Sequence, residues 1–158
     1  MPLFANAAAL IRVNLEQIRD GRRASLVEIG ELTQTQLADI NANRSAQGLL
    51  PMKAQVVFIG KHIYERRILQ DGYTIQDVID QIESAMRSDS SVLCTLKLTA
   101  MESPTTRVDG YGNHVRDRVV FECTNRYPRP ELFSVIPKGD ALKPRKTEGA
   151  TARKDCGP

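Results

Sequence analysis

The chain has 158 residues, 41% hydrophobic and 26% charged, with a formal net charge of +3; that length buries one ordinary core, one domain with attachments. No apolar run reaches the roughly 18 residues that cross a bilayer, and no basic residue precedes Arg12, which argues against a membrane span and a secretory leader. Cys94, Cys123 and Cys156, odd in number and without CxxC spacing, indicate neither a disulfide framework nor a zinc site, and a reducing, cytoplasmic compartment fits them.

From residue 5 to 19, Ile11, Leu15 and Ile18 recur at helical spacing, with Arg12, Glu16 and Arg19 turned to water. A second helix follows in LTQTQLADINANRSAQGLLP. Thr33 caps it, Gln36 closes a capping box, Leu37 and Ile40 form the buried stripe, and Gly48 and Pro51 stop it. Residues 1–54 therefore read as a helical N-terminal region, mobile or separately packed. The run QVVFIG at 55–60 reads as a short strand ended by glycine. It delivers the chain into GKHIYERR, expected to be helical, with His62 and Arg66 four apart on one face. DGY makes a turn. TIQDVIDQIESAMR restarts a helix with Thr74 as cap and Ile75, Val78, Ile79, Ile82 and Met86 as core stripe.

Strand signals then replace helical ones. VLCTLKLTA from Val92, RVVFECT from Arg118 and ELFSVIP from Glu131 show alternation or β-branched enrichment, and DGYGN at 109–113 reads as a hairpin turn. The order is helices first, then a small antiparallel sheet: an α+β domain over 55–138. Period two places Arg118, Val120, Glu122 and Thr124 on one face, opposite Val119, Phe121 and Cys123. The polar face, with Arg118, Glu122 and Thr124, is where a substrate-binding cleft would be built. Residues 138–158 carry six Lys or Arg against three acids and Leu142 as the only sizeable aliphatic. A disordered basic tail over 139–158 is the expectation, either a solubilising terminus or a non-specific nucleic-acid arm.

The His62-x-x-x-Arg66 helix start, the second helix soon after, and a terminal antiparallel sheet ending in Ser134 between Phe133 and Val135 together resemble the barnase/EndoU/colicin/RelE nuclease superfamily. The likeness is to its phage- and toxin-associated branches and covers roughly residues 56–138. It implies a metal-independent endoribonuclease, a toxin or phage-borne accessory effector without a cofactor, whose partners are RNA and an immunity or antitoxin protein. It further implies that His62 is the acid/base, Arg66 the phosphate clamp, shared with or taken over by Arg67, and Ser134 the hydroxyl that positions the phosphate. Histidine suits proton transfer because its unperturbed pKa of about 6.5 lies near working pH, and arginine suits phosphate because its fork stays charged.

Every one of these residues also has a structural reading. His62 can sit in water, Arg66 or Arg67 can pair with Glu65 or Asp71, Ser134 can be a plain strand residue, and Glu122 can be an ion partner of Arg118. His114 can be an exposed hairpin residue, Tyr64 a core plug and Cys123 packing. Two histidines without a nearby cysteine make no zinc site, and no phosphate loop or nucleophile elbow occurs. The competing function is a non-catalytic adaptor that binds nucleic acid or protein with the same sheet.

Overall fold

The structure, a computed structural model, describes residues 3–86, 92–94, 98–103, 105–123 and 128–139. Helix α1 (Ala7–Arg19) turns Ala7, Ile11 and Leu15 inward at three- to four-residue spacing. Strand β1 (Val27–Glu31) follows, then α2 (Gln34–Ala46). The α2 capping box is complete: the Gln36 amide donates to the Thr33 hydroxyl at 3.2 Å, and the Thr33 amide donates to the Gln36 side-chain oxygen at 2.9 Å. Strand β2 (Gln55–Phe58) leads through Gly60 into α3 (Lys61–Ile63), which continues as a π-helix over Tyr64–Gln70. Helix α4 (Ile75–Met86) buries Val78, Ile79, Ile82, Ala85 and Met86, and Thr74 and Asp77 bond reciprocally at its start.

The remaining strands are β3 (Val92–Cys94), β4 (Leu98–Glu102), β5 (Arg107–Val108), β6 (His114–Glu122) and β7 (Glu131–Gly139). They form one seven-stranded sheet in the order β1-β2-β7-β6-β4-β3, with β5 also on β6. The hairpin turn at 109–113 is present, with Gly112 in the left-handed region at φ 81°, a backbone conformation that suits glycine. The described helices lie on one face of the sheet. The hydrophobic core joins Ile11 and Leu15 of α1, Ile40 of α2, Ile63 of α3 and the α4 stripe to Phe58, Met101, Val119, Phe121, Leu132 and Val135 of the strands. Val57, Ala100 and Val120, which alternate with these, are buried but lie outside that core cluster.

Four expectations are corrected. Residues 1–54 are neither wholly helical nor separately packed, because β1 pairs antiparallel with β2 and both flanking helices enter the shared core. The sheet is mixed, since β2 runs parallel to β7 with Val57 opposite Glu131 and Phe58 opposite Leu132. The strand expected from Val92 is two strands, β3 and β4, paired antiparallel so that Leu93 meets Ala100. Finally, GKHIYERR is one turn of α-helix followed by a π-helix, in which the Asp71 amide donates to Arg66 O five residues back at 3.2 Å. His62 thus stands in the α-helical turn and Arg66 in the π-helix. The tail at 140–158 and Thr124 lie outside the described residues.

Candidate functional site

Alternation in β6 separates two chemistries. Val115, Asp117, Val119 and Phe121 face the helices and are buried, while His114, Arg116, Arg118, Val120 and Glu122 take the opposite face. Register then decides which residues of the neighbouring strands join them. On β7, Ile136 lies opposite Arg118, Ser134 opposite Val120 and Glu131 opposite Glu122; on β4, Glu102 lies opposite Arg118 and Ala100 opposite Val120. The register shifts between Val120 and Phe121, whose partners are Ser134 and Leu132, so β7 carries a bulge at Phe133. The bulge lets Leu132 and Val135 both reach the core while Ser134 between them faces away.

The result is a face on which, among the described residues, no helix packs. Its floor is made of short side chains, Val57, Ala100, Val120 and Ser134, all buried. Arg118 and Glu122 stand on the two sides of Val120, each diagonal to Ser134, with the β7 bulge on the Glu122 side. Arg118 donates from Nε to Glu102 Oε1 at 2.6 Å, and its Nη2 lies 2.5 Å from the same oxygen. That pair is largely covered, with side-chain exposures of 18% for Arg118 and 2% for Glu102. Glu122 is half-buried, and beyond it Arg129 Nε lies 3.5 Å from Glu131 Oε1. A cation, a hydroxyl and a carboxylate thus stand in sequence across two adjacent strands. Such a set can hold a phosphate and accept a proton.

The sequence-predicted residues divide between the two sides of the sheet. Ser134, Arg118 and Glu122 come together on the helix-free face. His62, Arg66 and Arg67 belong to the helical layer and do not meet Ser134. His62 is half-buried in α3. Arg66 is exposed and donates to Gln70 Oε1 at 3.3 Å, and Arg67 is ion-paired with Asp71.

A second polar cluster went unrecognised in the sequence. Asp117, with a side chain 1% exposed, receives Arg107 through Nε at 2.5 Å and Nη2 at 2.8 Å. Burial pushes the Asp117 carboxyl up, against the opposing pull of Arg107, Gln81 and Ser84. Burial likewise opposes the Arg107 charge, but the bonds and charge of Asp117 outweigh it and hold the guanidinium up. The two partners pull in opposite senses; the bidentate contact, which occupies both carboxylate oxygens, favours the charged pair at neutral pH. Gln81 is fully buried, with its amide beside Asp117 but without a hydrogen bond of regular geometry. Tyr73 packs against Tyr111 of the hairpin with ring centres 6.2 Å apart and the rings tilted by 42°, and burial raises its hydroxyl pKa. This cluster ties the β5–β6 hairpin to α4 on the core side. A charged residue in the apolar register of Val115, Val119 and Phe121 was its sequence signal.

No helix among the described residues is long and apolar enough to cross a membrane. Comparison with protein-family models, curated proteins and solved structures finds no match for the chain.

Proposed function

We propose that the helix-free face of the sheet binds RNA and cleaves it without a metal, with Glu122 as general base, Arg118 as the charge that neutralises the phosphate, and Ser134 as the hydroxyl that orients it. The observation that carries this reading is the register that sets Ser134 diagonal to both Arg118 and Glu122. In such a reaction Glu122 takes the proton of a ribose 2′-OH, the 2′ oxygen bonds to phosphorus, and the bond from phosphorus to the 5′ oxygen breaks. The 5′ oxygen takes a proton from water, leaving a 2′,3′-cyclic phosphate and a 5′-hydroxyl. Arg116, half-buried on the same face, extends the cationic side. The resemblance to the nuclease superfamily supports the substrate class through Ser134 on the last strand alone, since His62 and Arg66 belong to the helical layer.

One observation favours a second reading, RNA binding without cleavage: Arg118 is already paired with Glu102. Incubating the purified protein with total RNA, with and without chelator, separates the two. Cleavage should yield cyclic-phosphate ends. Glu122→Gln should lower the rate by about a hundredfold to ten-thousandfold, and Ser134→Ala by about a hundredfold. His62→Ala should leave it unchanged. RNA retained but intact would favour binding alone, and loss of cleavage in His62→Ala would move the site back to the helical layer. Arg118→Ala is a poor probe, because a buried Glu102 without its partner costs about 3–5 kcal/mol of fold stability.

A further inference from the structure

On the helical side, where the end of α1 and the start of β1 meet the loop into α3, a groove of about 520 Å³ opens between Ile18, Leu26, Ile59, Tyr64 and Leu69. This falls within the roughly 300–1,000 Å³ of small-molecule sites. Two of its walls are large aliphatic side chains left in water: Leu26 is 50% exposed and Leu69 65%. Leu69 is presented by the π-helix, a conformation uncommon at this length and often found at functional sites. The base of the groove is closed by a buried asparagine. Asn14, 2% exposed, donates from Nδ2 to Ser25 O at 2.7 Å, while its Oδ1 is buried without a hydrogen-bond partner against Gly60.

The lining chooses among ligands. It is chiefly aliphatic with one aromatic ring, Tyr64, whereas sites for nucleobases rely on aromatic stacking platforms. At the mouth stand two cations, Arg22 and Lys61, against one acid, Glu65. Arg22 also reaches Asp20 at 3.4 Å, and Lys61 is exposed. An alkyl chain therefore fits the walls and an anionic end fits the rim. We propose that this groove binds a medium-chain alkyl carboxylate, with the chain between Ile18, Leu26 and Leu69 and the carboxylate at Lys61. The site is independent of the RNA reading, since it lies on the other side of the sheet from Ser134.

Decanoate, kept below its micellar concentration, tests the assignment by calorimetric titration of the full chain. Saturable binding at one per chain is expected, weakened about tenfold or more in Lys61→Glu and lost in Leu69→Asp. Both positions are exposed, so far-UV circular dichroism of the two variants should match the parent. Decyltrimethylammonium, which carries the opposite charge on the same chain, and adenosine monophosphate, which carries an anion on an aromatic body, should bind far more weakly. The proposal is overturned if decanoate does not saturate, if both variants bind it like the parent, or if either control ligand binds as tightly.

Discussion

Asp117 shows how a single side chain can work against its surroundings. Its place in β6 is an inward one, and its side chain is held there by a bidentate contact from Arg107. Burial nonetheless raises its pKa above the ordinary 3.8, so the folded protein holds the carboxyl proton more tightly than the unfolded chain does. The stability linked to that proton is complete below the ordinary carboxylate value and is lost as pH rises through the raised one. Urea midpoints of the parent and of Asp117→Asn, followed from about pH 3 to about pH 8, should show the parent's advantage shrinking across that window and level above it. An advantage that grows with pH would contradict the assignment. Arg44 is a parallel case. It is 2% exposed, donates from Nε to Leu50 O at 2.7 Å and from Nη1 to Cys123 O at 2.5 Å, and thereby fastens α2 to the end of β6; burial lowers its pKa.

Among the elements, the junction from β2 to α3 is closely packed around Gly60. Gly60 has an ordinary backbone conformation, φ −87° and ψ −14°, so its need for glycine is a matter of space. A Cβ there would overlap Asn14 Oδ1 and come to 3.0 Å from both Leu15 Cδ2 and Phe58 Cε1. Asn14 is fixed by Ser25, and Leu15 and Phe58 are fully buried, so no neighbour can yield cheaply. Gly60→Ala should cost about 1–3 kcal/mol, the usual cost of overpacking, read as a fall in the urea midpoint with an unchanged slope. A neutral result would mean that α1 can shift away from the strand.

For the molecule as a whole, the sheet separates support from candidate site. Among the described residues, one face carries the helices and the core cluster, and the other carries Arg118, Ser134 and Glu122 on a floor of small side chains. The core draws on residues from α1 to β7, and β1 covers the edge of β2. A fragment beginning at Gln55 would lose Ile11, Leu15, Ile29 and Ile40 from that core and leave β2 unpaired on one side. It should not fold alone. Far-UV circular dichroism and amide proton dispersion of residues 55–158 would check this, and a cooperative thermal transition in the fragment would refute it.

What the sequence determined by itself was local. The α4 stripe of Val78, Ile79, Ile82 and Met86, the Thr33–Gln36 capping box, the turn at Gly112 and the two faces of β6 were all legible, because each depends on backbone geometry within a few residues. Tertiary structure decided the rest. VEIGE at 27–31 has a glycine at its fourth position and weak alternation, and is a strand because β2 lies beside it. The parallel pairing of β2 with β7 joins segments far apart in the chain, and no periodicity encodes it. The bulge at Phe133 turned Ser134 away from the core and so away from His62 and Arg66. Spacing fixes which residues of one element share a face, but which face meets which neighbour is set by long-range pairing and by the burial of a common core.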